Sequence, residues 1–245
     1  MDNAAYVALS RQMALFNQMD VIANNIANAS TAGFKSEQVL FSEYVKKTSE
    51  DEKLSFSNDV ATVTNFDQGS LRKTDRQLDV AIKGEGYFQV ETPLGIRYTR
   101  VGNLIVNSTG VLTDSNGYPV QAEGGTINFD EQDFDIVIKE NGMVAVKVGS
   151  VLEERGQIRV VKFENEHLLK KLPNSMYKTD QVPEQAVVVE DFVVAQGMLE
   201  DSNVNPTKEM TTMIKINRSV GTTAKVIDQL HELQRRAVST ISRQN

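Results

Sequence analysis

The stretch QLDVAIKGEGYFQVET, residues 77–92, alternates Leu78, Val80 and Ile82, then Phe88 and Val90, around a Gly-Glu-Gly step. Apolar residues at every second position give the period of a half-buried strand, not of a helix. Gly84-Glu85-Gly86 lacks the third glycine of a dinucleotide-binding loop, because Gln89 stands there, and no helical pattern follows. That context argues for a tight turn or bulge between two strands.

Downstream, turn chemistry recurs at Pro93-Leu94-Gly95, Ser108-Thr109-Gly110, Asn116-Gly117 and Asn141-Gly142. Asn-Gly between apolar runs marks a hairpin, since both central residues of a type I′ turn need positive φ. No helical segment alternates with these strands, so a doubly wound nucleotide fold is excluded. Residues 77–196 are therefore expected to form an antiparallel, hairpin-rich β domain. Upstream, YVKKTSEDEKLSFSND is polar and mixed in charge. Residues 36–76 read as an exposed connector, with short strands near Val60 to Leu71.

The two chain ends change period. Over residues 4–29, Tyr6, Leu9, Met13 and Phe16 form one stripe at helical spacing, and Leu15, Met19, Ile22 and Ile26 form a second beside it. At the other end Asn205 is a good N-cap and Pro206 a favoured first helical residue. Met210, Met213, Asn217, Val220, Ala224, Ile227, His231, Gln234, Val238 and Ile241 then recur at spacings of three and four, flanked by Val226, Leu230, Leu233 and Ala237. An unbroken helix to residue 242 would be roughly 55 Å long. Asn217, His231 and Gln234 either fix the register of a packed seam or mark where this face turns to solvent.

Between the first helix and the β domain lies ANNIANASTAGFK, residues 23–35. Asn competes for the backbone groups a helix needs. This run is either surface drift or a set of amides that packs on a neighbour; Asn24, Asn25 and Asn28 are the candidates, with Asn24 and Asn28 on one face at i, i+4.

Of the 245 residues, 40% are hydrophobic, 24% charged and 7% aromatic, with no Trp. That is the composition of an ordinary globular chain without one massive core. A net charge of −7 with scattered Lys and Arg argues against a nucleic-acid partner, which needs a clustered basic surface. With no Cys, disulfide scaffolds, thiolate metal sites and thiol nucleophiles are excluded. No apolar run spans a bilayer, and MDNAAYVALSRQMALF lacks the basic and continuous apolar regions of a cleavable signal peptide.

The acidic run DEQDFD, residues 130–135, lacks the turn glycine and distal Glu of a calcium loop. His167 and His231 have no second ligand at metal-binding spacing, and no nucleophile elbow is present. The expectation is no enzyme, no catalytic or metal residues, no cofactor and no small-molecule substrate. Two other functions stay in view: a secreted oligomeric module whose β domain recognises a glycan or protein, and a hydrolase using the 130–135 carboxylates.

Helices at both ends of a chain, with a β domain inserted between them, most simply form an antiparallel coiled-coil stem, an α+β architecture. Two helices bury only one strip of each other, and helical stability comes mostly from packing of the apolar face. The second stripe then drives association. Where the surface used differs from the surface met, the contact is head-to-tail and propagates.

These segments resemble a family. ANNIANASTAGFK is similar to the N-terminal signature of bacterial flagellar axial proteins, the basal-body rod and hook group. DVAIKGEGYFQV (79–90), YTRVGNL (98–104), NGYPV (116–120) and GMLEDSNVNPTKEMTTMI (197–214) resemble later segments of the same group, in the same order. The opening MDN and HELQRRAVST (231–240) are most similar to the proximal rod protein next to the distal rod. Leu104 and Ser219-Val220-Gly221 depart from the group's pattern.

The resemblance implies a structural subunit of the flagellar driveshaft that transmits torque from motor to hook. It would be exported through the flagellar type III apparatus without signal-peptide cleavage and would assemble with itself and with proximal and distal rod subunits in the periplasm-spanning rod. Its helical core segments would be residues 1–35 and 197–245. The expected subunit interface comprises Tyr6, Leu9, Met13, Phe16, Met19, Ile22, Asn24, Asn25, Ile26, Asn28, Gly33 and Phe34, with Asn203, Asn205, Met210, Met213, Asn217, Val220, Ala224, Ile227, Leu230, Leu233, Val238 and Ile241.

Overall fold

The computed structural model describes residues 2–47, 53–130, 133, 135–149, 151–185 and 191–242. The chain divides into two compact units. The first comprises Met1–Ala27, Glu37–Asn65 and Asn205–Asn245; the second comprises Asn28–Ser36 and Phe66–Val204.

The first unit contains helix α1 (Asp2–Ala27), strands β1 (Glu37–Lys47) and β2 (Lys53–Thr64), and helix α2 (Pro206–Ser242). Helix α1 packs on α2 and on the β1–β2 hairpin. Its inward side carries Ala14, Ile22 and Asn25, all buried, and α2 contributes buried Ile216 and Thr223. Helix α2 starts as its sequence predicts: the Asn205 side chain accepts from Lys208 N–H at 3.1 Å, and Pro206 follows. It then runs 37 residues through Gly221 without a break. No described helix is long and apolar enough to cross a membrane.

Strands β1 and β2 pair antiparallel from Glu37↔Thr64 to Lys47↔Lys53, with a bulge at Leu40/Phe41. They are longer than the short strands expected between Val60 and Leu71. The polar, mixed-charge run 44–59 makes these strands read as a connector.

The second unit is antiparallel β throughout its described strands. In chain order these are β3 (Leu71–Lys73), β4 (Val80–Gly84), β5 (Tyr87–Thr92), β6 (Gly95–Thr99), β7 (Ile105–Val106), β8 (Leu112–Thr113), β9 (Gln121–Ala122) and β10 (Gly125–Thr126). They continue with β11 (Ile136–Ile138), β12 (Met143–Val148), β13 (Val151–Gln157), β14 (Val160–Lys162), β15 (Lys170–Leu172), β16 (Met176–Lys178), β17 (Glu184–Gln185), β18 (Phe192–Gln196) and β19 (Met198–Glu200). The largest sheet has the order β15-β16-β6-β5-β14-β17, beside a β11-β12-β13 sheet and the pairs β18-β4 and β19-β3.

Register explains why the central strands are buried on both sides. Thr99 stands between Phe88 and Met176, whereas Tyr98 stands between Gln89 and Tyr177. Phe88 and Met176 point into the main aliphatic core with Val90, Leu104, Leu112 and Val144. On the opposite face Tyr87, Tyr98, Phe163 and Tyr177 form an aromatic cluster. Strands β4 and β5 are thus not half-buried, as their alternation suggested: Ala81, Tyr87 and Gln89 are buried as well.

The Asn-Gly hairpins form by a different turn from the one expected. Gly117 and Gly142 have φ of +85° and +79°, but neither Asn116 nor Asn141 has positive φ. Gly142 N–H donates to Lys139 O and Lys139 N–H to Met143 O. This is a type I turn closed by a left-handed glycine, not a type I′ turn. Asp114 makes the same arrangement with Gly117 and Tyr118, and its carboxylate also accepts from Asn116 and Tyr118 N–H. At Gly84-Glu85-Gly86 the chain switches sheets, and a Cβ on Gly84 would lie 2.2 Å from Asp191 O.

Candidate assembly surfaces

Helix α1 presents two apolar faces. Residues advance about 100° each along a helix, so Tyr6, Leu9, Met13 and Phe16 fall opposite the side holding Ala14 and Ile22. Tyr6 is 65% exposed and Met13 60%, whereas Ile22 is 5% exposed. Leu15, Met19 and Ile26 are half-buried on the inward side. The stripe that faces outward is therefore the large-residue one, and the stripe beside it makes the fold.

Helix α2 divides its apolar residues differently. Met213, Val220, Ala224, Ile227 and Leu230 are half-buried around the Ile216–Thr223 face. Met210 and Ile214 are exposed on one flank and Val226 and Leu233 on the other. Asn217 and His231 are exposed. The side chains of Gln234, Val238 and Ile241 lie outside the described residues.

The Asn-rich run has divided duties. Asn25 is 1% exposed, donating to Glu37 O at 2.8 Å and accepting from Glu37 N–H at 3.0 Å. Asn24 is exposed, and the Asn28 side chain accepts from the Thr31 hydroxyl at 3.2 Å. Gly33 and Phe34 are buried in the second unit. Gly33 has φ +64° and donates to Glu200 O at 2.8 Å, and an added Cβ would lie 2.8 Å from Val101 N. Phe34 lies under the Lys171 ammonium, 3.8 Å from the ring centre.

Next to them the Lys35 ammonium is fully buried between Glu200 Oε1 at 2.7 Å and Asp67 O at 2.8 Å. The same carboxylate oxygen accepts from Gly69 N–H at 3.0 Å, and Arg100 faces the other oxygen at 3.5 Å. Burial pulls the Lys35 ammonium below the ordinary lysine value, against the opposing pull of the Glu200 carboxylate. Asn203 ties two neighbouring irregular segments: its side chain accepts from Ser36 N–H at 2.8 Å and donates to Asp67 O at 2.9 Å.

Among its described residues the acidic run holds no such centre. Asp133 takes two hydrogen bonds of 3.0 Å from Arg155, which keep its carboxyl below the usual range, and Asp130 approaches the same guanidinium at 3.2 Å. Glu131, Gln132 and Phe134 lie outside the described residues. Among the described residues no group of three His, Asp or Glu is set to hold a metal ion. His167 stacks edge-on against Phe66. A cleft of about 280 Å³ lined by Glu85, Lys162, Glu164, Glu166 and His167 has partners within the fold, Lys162 on Asp191 and Glu166 on the Tyr87 hydroxyl.

Three family models match in order along the chain. They describe flagella basal body rod proteins (residues 6–35), the flagellar hook protein FlgE/F/G D1 domain (81–146) and the C-terminal part of flagellar basal body rod FlgEFG proteins (195–240). The chain is 36% identical over 255 residues to flagellar basal-body rod protein FlgF of Caulobacter vibrioides, with all of both chains covered. The chain belongs to the flagellar basal-body rod protein family. Identity to FlgF of Mesorhizobium japonicum is 33%, covering 98% of each chain, and to FlgG of Bacillus subtilis 30%, covering 96% of this chain and 97% of that one.

Within this rod-family chain the first matched segment contains both the outward stripe of α1 and the buried Gly33–Lys35 step. Sequence reasoning singled out the stripe, Asn25 and Asn203 as subunit-interface residues, whereas the structure engages Asn25 and Asn203 within their own units, and it did not single out Lys35, Asp67, Arg100 or Glu200. A lysine directly after Gly-Phe, at the end of a run of small residues, is the one local signal for Lys35. Nothing local marks Glu200, which is 165 residues away.

Proposed function

We propose that the chain is a non-enzymatic structural subunit of the flagellar basal-body rod that polymerises through its terminal helices. The observation that carries this reading is the outward stripe of Tyr6, Leu9, Met13 and Phe16, on a helix whose other face is already occupied. Each such side chain contributes roughly 1.5–3 kcal/mol when fully buried, enough for several together to drive association. Helices α1 and α2 act as a coiled-coil stem in an inner core; the core segments expected from the sequence, 1–35 and 197–245, are trimmed to the helical stretches because Asn28–Ser36 and the residues up to Val204 belong to the β unit. The β unit forms the outer layer, and the expected connector 36–76 is divided, its β1–β2 hairpin belonging with the helices and Phe66 onward with the β unit. The partners on the helical faces are sibling copies and other rod subunits.

The FlgF relatives favour the proximal member of the group, as do MDN and HELQRRAVST. The same reading has the subunit exported through the type III apparatus, without cleavage of a signal peptide, into the periplasm-spanning rod, where it carries torque. A β unit specialised for binding a glycan or protein gains no support from the polar cleft or from the relatives.

Because the chain has no Cys, a thiol introduced at Met13 paired with one at Ile214 reports contact directly. In assembled rods, oxidation is expected to link neighbouring subunits through these positions, and dilute monomer is expected to stay unlinked. Free thiols in intact rods at every outward position of α1 and α2 would refute the proposal.

A further inference from the structure

The buried ion cluster of the second unit has a role that the assembly reading does not use. Asn28–Ser36 lies on this unit as a strap, held chiefly by residues near the far end of the chain, with Asp67 and Lys171 adding one hydrogen bond each. Gly33 N–H donates to Glu200 O, Ser36 N–H to the Asn203 side chain, and Asn203 N–H to Phe34 O. The Lys35 ammonium reaches Glu200 and the Asp67 carbonyl. Glu200 and Asn203 thus supply a large part of the polar docking for a segment that precedes them by more than half the chain.

Charge makes this dependence steep. Lys35 and Arg100 are both buried, with side chains 0% and 4% exposed, and Glu200 is the carboxylate between them. With Glu200 in place, one oxygen accepts from Lys35 and Gly69 and the other faces Arg100. Without it, docking the strap would bury an ammonium beside a guanidinium with neither in contact with its paired carboxylate, leaving only the more distant Glu166 to oppose them. Removing one member of a buried pair is far more costly than replacing both.

We propose that Glu200 is the keystone of a completion latch: the strap 28–36 closes on the β unit only when the segment 197–204 has folded into place. The latch makes the N-terminal approach to the β unit conditional on the C-terminal one, so a chain whose C-terminal segment is displaced holds its strap open while its aliphatic core stays folded. The aliphatic core is built from Val80, Phe88, Leu112 and Val144 and includes no strap residue. The inference stands whether or not the outward helical faces meet sibling subunits.

Hydrogen exchange on the full-length protein tests the latch. In Glu200→Gln the Gly33 and Ser36 amides are expected to exchange at least tenfold faster, while Val80, Leu112 and Val120 amides keep their wild-type rates. Lys35→Met leaves Glu200 facing Arg100 and is expected to loosen the strap less. The double variant Lys35→Met/Glu200→Gln removes the buried ammonium and keeps an oxygen for Gly69 N–H, so it is expected to recover most of the protection lost in Glu200→Gln. Unchanged strap amides in Glu200→Gln, equal loss in strap and core, or a double variant as open as Glu200→Gln would each overturn the latch. If Glu200→Gln does not fold, Lys35→Met alone decides: faster exchange confined to the strap supports it, and an undisturbed strap refutes it.

Discussion

Asn25 and Glu37 clasp each other through two hydrogen bonds, side-chain amide to carbonyl at 2.8 Å and backbone N–H to amide oxygen at 3.0 Å. The carboxamide presents one donor and one acceptor side by side, as a backbone peptide does in a β ladder. Asparagine is therefore used here as a surrogate strand residue that joins the last turns of α1 to the start of β1. Its poor helix propensity matters little beside two buried bonds.

Asn25→Ala is expected to cost about 1–3 kcal/mol, because both backbone groups of Glu37 lose their partner. Asn25→Asp is expected to be no milder. It keeps an acceptor for the N–H but sets a carboxylate against the Glu37 carbonyl, near a helix C-terminus that disfavours negative charge. Urea denaturation gives the magnitudes, and exchange at the Glu37 amide locates the loss.

Two glycines make opposite predictions. Gly33→Ala must adopt φ +64° with its methyl 2.8 Å from Val101 N and 2.9 Å from Arg100 C, both rigid backbone atoms. A loss of at least about 2 kcal/mol is expected. Gly221 sits in α2 with nothing within 4 Å of an added methyl. Gly221→Ala is expected to stabilise the protein by about 1 kcal/mol, the difference in helix propensity. Thermal melts of the two variants check both signs.

Local periodicity made much of this fold legible. Val80, Ile82, Phe88 and Val90 announce strands, and Asn205-Pro206 announces a helix start. The two stripes of α1 were also plain, but not which one turns inward, because Met13 and Met19 are chemically alike and only a partner surface distinguishes them. The β1–β2 hairpin was hidden because charged and polar residues interrupt its apolar ones through the run 44–59. Burial on both sides of β5 depends on Phe163 and Tyr177, far downstream. The strap's ion cluster joins Lys35 to Glu200, and pairings at such separation leave no local trace.

Alkaline pH is expected to destabilise the second unit. Burial, aided by the Glu166 carboxylate, raises the Tyr87 phenol above its ordinary value of 10.0, and burial also raises Tyr98. The unfolded chain ionises near 10.0 while the folded one keeps its protons. Their stabilisation is thus complete below pH 10 and is lost as pH rises toward the folded values. Lys35, whose folded value is lowered, acts in the opposite sense below its ordinary value of 10.5. Tyr87 is the most strongly shifted of the three, so the urea midpoint is expected to fall as pH rises past 10. In Tyr87→Phe/Tyr98→Phe, which lacks the hydroxyl bond to Glu166, the midpoint is expected to start lower at pH 8 and to fall less steeply.

Opposite faces of α1 separate folding from assembly. Ile22 is buried among the elements of its own unit, so Ile22→Ala is expected to cost about 2–4 kcal/mol through lost burial and a residual cavity. Met13 and Phe16 are exposed on the far side. Met13→Glu and Phe16→Glu are therefore expected to change monomer stability by no more than about 0.5 kcal/mol, as surface substitutions do. In an assembled rod the same glutamates would be buried without partners, at a cost of several kcal/mol each. Denaturation of purified monomer should thus find Ile22→Ala weakened and Met13→Glu intact. Rod incorporation and motility should show the reverse ranking, with Met13→Glu absent from rods. A Met13→Glu/Phe16→Glu chain that is stable and still incorporates normally would leave the outward stripe without a role in assembly.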